Sequence, residues 1–124
     1  MAQLFSGEPL ETPDKWEVQL RKGSLELAIL ASLWGGRLYG LELLRRLESE
    51  SELVVSEGTV YPLLSRRKVL GLLESEWVES DAGHPRKYYL LTAAGRQRAL
   101  GMARIWSRFS ASMIRLLAPL EKGK

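Results

Sequence analysis

Apolar residues recur along the N-terminal part of the chain with the three- and four-residue spacing of amphipathic helices. Trp16 and Leu20 mark one stripe on a helix over residues 12–22, which begins at a Thr-Pro-Asp start signal. The pair Gly23-Ser24 predicts a break after it. A second helix over residues 25–34 is apolar on nearly every side, as expected at the centre of a small domain.

Two further helices and a β-hairpin are predicted between residues 39 and 91. The first helix begins near Tyr39 and alternates inward leucines with outward charges. Ser56 is suited to cap the second helix, residues 58–70, and Gly71 is suited to the left-handed position after it. Two strand-like runs, 72–79 and 86–91, then flank a polar turn and predict a two-stranded ribbon.

A long final helix is predicted from its N-cap Thr92 to about Ala118, because Pro119 disfavours continuation. Its apolar residues alternate at three- and four-residue intervals, which is the heptad seam of a coiled coil. A small domain cannot cover such a seam, so we expect the same helix of a second copy to pack on it. The seam consists of Ala99, Met102, Trp106, Phe109, Met113, Leu116 and Leu120.

The elements together predict a mainly α fold with a small two-stranded β-wing. It is a winged helix-turn-helix followed by a long C-terminal dimerisation helix. A chain of 124 residues suits one such domain with an appendage. The expected parts are a mobile N-terminal arm at 1–11, a DNA-binding domain at 12–91 that includes a docking helix at 12–22, and the dimerisation helix at 92–120.

The local distribution of charge, more than its total, indicates DNA binding. The 18 Lys and Arg residues exceed the 15 acidic residues by only three, but cations concentrate at the end of the 58–70 helix and beside the ribbon turn. A basic helix in the major groove, with a basic ribbon tip on the neighbouring phosphates, would read DNA from one face. The candidate DNA-binding residues are Tyr39, Ser56, Thr59, Tyr61, Pro62, Ser65, Arg66, Lys68, His84, Arg86 and Lys87.

Other functional classes find little support in the sequence. The chain has no cysteine and a single histidine, His84, so we expect no disulfide, no metal site and no cofactor. It has no nucleophile beside a histidine base and no glycine-rich phosphate loop, so we do not expect an enzyme. The longest apolar stretch, 25–34, is too short to span a membrane, and we expect a soluble cytoplasmic protein.

Three strings in this order resemble the PadR family of bacterial transcriptional regulators. They are Ser-Glu-Gly-Thr-Val-Tyr-Pro-Leu-Leu-Ser-Arg at 56–66, Gly-Leu-Leu-Glu-Ser at 71–75, and Arg-Lys-Tyr-Tyr-x-Leu-Thr-x-x-Gly at 86–95. The resemblance spans about residues 21–109. It implies a homodimeric winged-helix regulator, usually a repressor, that binds an inverted-repeat operator and is released by a small molecule, often an aromatic one.

One residue departs from the family pattern, which usually has an apolar side chain one turn after Leu63-Leu64. This chain has Arg67 there. Either the stem of Arg67 is partly buried while its charged end reaches outward, or the last turn shifts so that Leu70 closes the core. The two alternatives leave the set of DNA-facing residues beyond Arg66 open.

Trp106 in the seam has two interpretations, a packing residue of the dimer core or part of a ligand pocket. Its segment, Trp106-Ser107-Arg108, resembles that of multidrug-sensing members of the family, in which a final-helix tryptophan and its twofold mate line a flat central pocket. That resemblance implies a planar aromatic cation as the inducer, with methionines as adaptable walls. The candidate ligand residues are Met102, Trp106, Phe109 and Met113, and the candidate dimer residues are Trp16, Leu20, Met102, Trp106, Phe109, Met113 and Leu116.

The alternative function is that of a protein–protein interaction module. A winged-helix dimer of that kind would bind another protein and have only weak, non-specific affinity for DNA. Salt-dependent binding to a defined inverted repeat would distinguish a regulator from such a module.

Overall fold

The computed structural model describes residues 14–81 and 83–123 of the chain. Both the expected mobile arm at 1–11 and the Thr12 start signal therefore lie outside the described residues. The elements run in the order α1 (Lys15–Ser32), β1 (Leu38–Tyr39), α2 (Gly40–Ser51), α3 (Glu57–Val69), β2 (Leu73–Val78), β3 (Arg86–Leu91) and α4 (Ala93–Lys122). The mainly α fold with a winged helix-turn-helix and a long C-terminal helix is confirmed.

Helix α1 is continuous, so the prediction of a break at Gly23-Ser24 is wrong. It begins after Asp14, whose carboxylate accepts a hydrogen bond from the backbone N–H of Trp16 at 2.7 Å. The hydroxyl of Ser24 donates to the Leu20 carbonyl at 2.8 Å and is therefore satisfied within the helix. A glycine inside a helix costs only about 1 kcal/mol, which burial of the following turns can offset.

The core lies where the second half of α1 meets α2, α3, the inner face of the sheet and the start of α4. In α2 and α3, Leu43, Leu47, Val60 and Leu64 are buried, as their periodicity predicts. The buried set comprises Leu25, Ile29, Leu30, Leu33, Leu43, Leu47, Leu53, Val60, Leu64, Leu73, Tyr89, Leu91 and Ala99.

Within the described residues, the sheet has three antiparallel strands in the order β1-β3-β2. Two of them form the predicted wing hairpin, with Leu73 opposite Leu91 and Val78 opposite Arg86. The third, β1, pairs Tyr39 with Tyr88 and was not predicted, because two residues carry no recognisable alternation. It joins the start of α2 to the wing.

The end of α3 decides between the two alternatives for Arg67. Gly71 has the left-handed conformation, with φ at +79°, and its N–H donates to the Lys68 carbonyl at 3.0 Å, so the predicted helix end is confirmed. Leu70 stays 63% exposed, whereas Arg67 is only partly exposed. The alternative in which Leu70 closes the core is therefore wrong. The stem of Arg67 is partly buried, as the other alternative predicts, but its guanidinium does not reach outward: it turns to Glu26 of α1, and its Nε is buried.

Helix α4 begins as predicted and ends later than predicted. The Thr92 hydroxyl accepts from the N–H of Gly95 at 3.0 Å and donates to the Gly71 carbonyl at 2.6 Å. The prediction of an end near Ala118 is wrong, since the helix includes Pro119 and reaches Lys122. Pro119 is exposed near the last turn, where water can satisfy the carbonyl that its missing N–H leaves free.

Candidate nucleic-acid interface

The start of α3 presents small hydroxyl side chains to solvent. Ser56 is the N-cap, and its carbonyl accepts from the backbone N–H groups of Thr59 and Val60, each at 3.1 Å. The side-chain oxygens of Ser56 and Thr59 lie 3.2 Å apart and share one hydrogen bond. Both residues are exposed, so they can exchange this mutual bond for a phosphate or a base edge.

The outer face of α3 carries Pro62, Ser65, Arg66 and Lys68, all exposed, while Val60 and Leu64 are buried on the opposite face. Arg66 and Lys68 have no carboxylate partner within the part of the chain that the structure describes. Their charge is therefore available to a phosphate or a guanine edge.

Tyr61 is a residue of α3 and lies between the start of α2 and the wing. Its ring packs so closely on Gly40 that a Cβ atom there would overlap it. Burial, with a smaller effect from the nearby Glu57 carboxylate, raises the pKa of the Tyr61 hydroxyl above its ordinary value. Burial, and then the neighbouring Tyr61, raises the pKa of Tyr89 in the same way. Tyr61 therefore remains a neutral hydrogen-bond donor at physiological pH.

A groove of about 540 Å³ separates the wing from the starts of α2 and α3. Residues from all three elements line it, and they are separated by as many as 50 positions in the sequence. Five of the predicted DNA-binding residues are brought together here, namely Tyr39, Tyr61, His84, Arg86 and Lys87. Ser65 and Arg66 do not line it, because they lie beside a separate hollow near the end of α3.

Aromatic rings hold the wing cations in place. The Arg86 guanidinium lies 4.5 Å from the centroid of the Tyr39 ring, and the Lys87 Nζ lies 5.7 Å from the centroids of both Trp77 and Tyr89. Such contacts orient a cation without neutralising it. Each cation therefore keeps its charge for a phosphate.

Sequence reasoning did not include Arg37 or Trp77 in this region. Arg37 stacks 4.7 Å from the centroid of Tyr88 and forms an ion pair with Glu76. Trp77 lies opposite Lys87 in the hairpin and is 69% exposed. The register of β2 against β3 was the missing information, because it decides which β2 residues lie beside Lys87.

The predicted dimer residues lie on a second surface, away from the wing. Trp16, Leu20 and Trp106 line one groove of about 710 Å³ between the first half of α1, the end of α2 and α4. Farther along α4, Phe109 and Leu116 are exposed, and Met102 and Met113 are half-buried. Ala99, at the start of the predicted seam, is instead buried within the protomer core.

Residues 14–81 and 83–123 offer neither a metal site nor a membrane-spanning helix. No group of three or more histidine, cysteine, aspartate or glutamate residues in these segments could hold a metal ion. No helix there combines the length and the apolar character that crossing a bilayer requires.

A recognition helix that follows a second helix through a short turn, with a hairpin beside it, defines a winged helix-turn-helix protein of the DNA-binding class. The PadR-like family of transcriptional regulators matches residues 29–100. The chain belongs to this family, whose members regulate transcription and are not enzymes. The sequence-based identification of the family is confirmed.

Solved structures support the same assignment. A PadR-like transcription factor from Bacteroides fragilis is 39% identical over 83% of this chain and 99% of its own, with a TM-score of 0.67. A PadR-like regulator from Bacillus cereus is 35% identical over 80% and 96%, with a TM-score of 0.74. One from Eggerthella lenta is 31% identical over 81% and 87%, with a TM-score of 0.70. No curated protein matches the chain.

Proposed function

We propose that this DNA-binding regulator is a homodimeric repressor that binds an inverted-repeat operator and is released by a small planar aromatic molecule. The observation that carries the DNA-binding part is the placement of four cations. Arg66 and Lys68 on α3, and Arg86 and Lys87 on the wing, are all without carboxylate partners in the described segments. Two separate elements therefore offer uncompensated positive charge.

In this proposal α3 enters the major groove and the wing lies on the flanking backbone. Ser65 and Arg66 face the base edges, where arginine can bond guanine with two hydrogen bonds. Ser56, Thr59, Pro62 and Lys68 position the helix on the backbone. Tyr39, Tyr61, His84, Arg86 and Lys87, around the 540 Å³ groove, hold the phosphates beside the wing.

The apolar surface of α4 supports a homodimer. Trp106, Phe109, Leu116 and Leu120 are all exposed in the isolated protomer, at heptad spacing along one helix. Two copies packed through this seam would be related by a twofold axis, so their recognition helices would read an inverted repeat. The groove that contains Trp16 and Leu20 adjoins the seam through Trp106 and extends the interface onto α1.

The same interface supports a ligand-responsive repressor. Trp106 and its twofold mate could stack on a planar aromatic cation, with Met102, Phe109 and Met113 beside it. A ligand that fits only one arrangement of the two α4 helices would shift the population towards that arrangement. The spacing of the two recognition helices would then no longer match the operator, and the repressor would leave it.

The proposed parts follow from this assignment. The DNA-binding unit is 12–91, the dimerisation unit is 92–120, and the protein acts in the cytoplasm, where bacterial DNA lies. The competing proposal, an interaction module with weak DNA affinity, draws on the exposed Trp77 of the wing, which a protein partner could also cover.

Selection from random-sequence duplexes separates the two proposals. A regulator should enrich one inverted repeat, hereafter the selected duplex, whereas an interaction module should enrich none. Arg66→Ala and Arg86→Ala should each weaken binding to the selected duplex and lower the salt dependence by about one counterion per half-site. Arg115→Ala is the control, because Arg115 lies about 30 Å along α4 from the first residue of that helix. Unchanged binding by both test variants would contradict the proposed docking.

A further inference from the structure

Glu26 of α1 lies between a cation of the recognition helix and a cation of α4. Its Oε1 accepts a hydrogen bond from Nη2 of Arg67 at 3.1 Å, and its Oε2 lies 3.0 Å from Nε of Arg67. The same Oε2 lies 3.7 Å from Nε of Arg98. One carboxylate therefore connects three helices that the sequence separates.

Burial makes the Glu26–Arg67 pair different from the other ion pairs of the described segments. The side chains of Glu26 and Arg67 are 17% and 22% exposed, whereas both partners of Glu17–Arg21 are 42% exposed. Removing a charged pair from water carries a desolvation penalty that often cancels the gain from pairing. Arg67 also follows Val60 and Leu64 on the inward side of α3, where an apolar residue would avoid that penalty. Stability alone therefore does not account for the pair.

The Glu26–Arg67 pair restricts the orientation of the helices that it joins. An arginine and a carboxylate attract each other only in a narrow range of orientations, whereas two leucines tolerate sliding. Because Arg67 lies in the last turn of α3, its contact with Glu26 fixes the rotation of that helix about its own axis. The rotation decides where Ser65 and Arg66 point.

A contact with α4 links the orientation of α3 to the position of α4. Although Nε of Arg67 is close to Oε2, it is buried and makes no hydrogen bond of acceptable angle. Arg98 approaches the same oxygen from α4 and is 52% exposed. A small shift of α4 would therefore change how the carboxylate is shared between the two arginines.

We propose that Glu26 is a positioning residue that transmits the placement of α4 to the recognition helix through Arg67. This inference rests on the proposed function, in which α3 reads DNA and α4 forms the dimer. It assigns to Arg67 and Glu26 an effect on operator affinity without any contact with DNA.

The test measures affinity for the selected duplex over a series of salt concentrations. Glu26→Gln and Arg67→Leu should each weaken binding about three- to tenfold, with the salt dependence unchanged because no phosphate contact is lost. The double variant should bind no more weakly than the weaker single variant, because both changes remove one contact. Arg98→Gln should weaken binding less, and should have no further effect once Glu26 is glutamine.

A second variant keeps the test valid if a single change disturbs folding. Glu26→Leu with Arg67→Leu replaces the pair by apolar side chains, and it should fold with at least the urea midpoint of the wild type while binding the selected duplex less tightly. Glu17→Gln is the matched control, since it removes a carboxylate from an exposed arginine pair on the same helix. Sedimentation of every variant verifies that the dimer is intact.

Three results would overturn the inference. The first is wild-type affinity in both Glu26→Gln and Arg67→Leu, or in the apolar double variant. The second is a salt dependence lowered in Arg67→Leu but not in Glu26→Gln, which would make Arg67 a phosphate contact. The third is simple additivity of the two single effects. If Arg66→Ala and Arg86→Ala are also without effect, it is the proposed function that fails.

Discussion

The ring of Tyr61 occupies the space that a Cβ atom of Gly40 would need. Through this contact the N-terminal part of the recognition helix packs against the first turn of α2. It also places Tyr61 beside Tyr89 of the wing, and both residues line the same groove. The close approach of α3 to α2 therefore depends on the absence of a side chain at position 40.

Gly40→Ala should displace Tyr61 and destabilise the protein. The new methyl group would overlap the ring, and overpacking of this kind typically costs about 1–3 kcal/mol. The urea midpoint should fall, and affinity for the selected duplex should fall with it. Gly58→Ala is the control, because the nearest atom to its Cβ would be the Ser56 Oγ at 3.7 Å. Equal stability of the two variants would contradict the close packing.

Gly23→Ala should stabilise the protein, because Gly23 lies inside a continuous helix. Nothing lies within 4 Å of the position that its Cβ would take. Alanine is favoured over glycine in a helix interior by about 0.8–1 kcal/mol, so the urea midpoint should rise. A lower midpoint would indicate that the chain bends at Gly23 in solution.

Phe109→Glu should dissociate the dimer. An unpaired carboxylate in an apolar seam is strongly unfavourable, whereas Phe109 in the separated protomer is exposed and tolerates a charge. Sedimentation at micromolar concentration should show a dimer for the wild type and a monomer for the variant. Arg104→Glu, on the side of the heptad opposite the seam, should remain dimeric. A wild-type monomer under these conditions would contradict the proposed homodimer.

Trp106 should report the binding of a planar aromatic cation. Replacing Trp16, Trp34 and Trp77 by phenylalanine leaves Trp106 as the only indole. The phenylalanine at position 16 keeps an aromatic side chain in the groove that Trp16 and Trp106 line together. Each cation–π contact would contribute about 0.5–2 kcal/mol when water is excluded. Planar cationic dyes should therefore quench the fluorescence saturably and loosen binding to the selected duplex.

Two controls locate that signal. The quenching should disappear when Phe109→Glu is added to the single-tryptophan protein, since the pocket needs two protomers. In an otherwise wild-type background, Trp106→Ala should bind the same dyes more weakly when binding is followed by dye fluorescence. Equal binding by Trp106→Ala would make Trp106 a packing residue alone.

Stability should fall as the pH rises above 10.0, in part because of Tyr61. Burial raises the pKa of its hydroxyl in the folded state, so the unfolded chain loses this proton at a lower pH than the folded chain does. The resulting stabilisation is complete below the unfolded pKa and is lost as the pH rises through the folded pKa. Urea midpoints measured from neutral to alkaline pH should decline less steeply for Tyr61→Phe. Parallel declines would contradict the assignment to Tyr61.

The sequence predicted the elements that have strong local signals. Ser56, Gly71 and Thr92 were identified correctly as helix boundaries, because a cap depends on a few neighbouring residues. The inward stripe of α3 followed from spacing alone. Local signals were misleading at Gly23 and Pro119. Each of these residues disfavours a helix, but each lies in a helix that the other residues of that helix stabilise.

The sequence identified the candidate DNA-binding residues as a single group. The tertiary structure places them in two separate regions. Strand register and the packing of Tyr61 on Gly40 brought Tyr39, Tyr61 and the wing cations to one groove, apart from Ser65 and Arg66. No spacing rule connects residues that lie 20 or more positions apart, because their contact depends on how whole elements pack.

Arg67 marks the boundary between the two kinds of information. Its periodicity placed it on the inward side of α3, and its charge made that position costly, so the sequence by itself determined that something unusual occurs there. Only the tertiary structure decided that the partner of the Arg67 guanidinium is Glu26, 41 residues earlier in the chain. The physical reason is that a buried charge needs a partner in space, and the fold alone brings that partner within 3.1 Å.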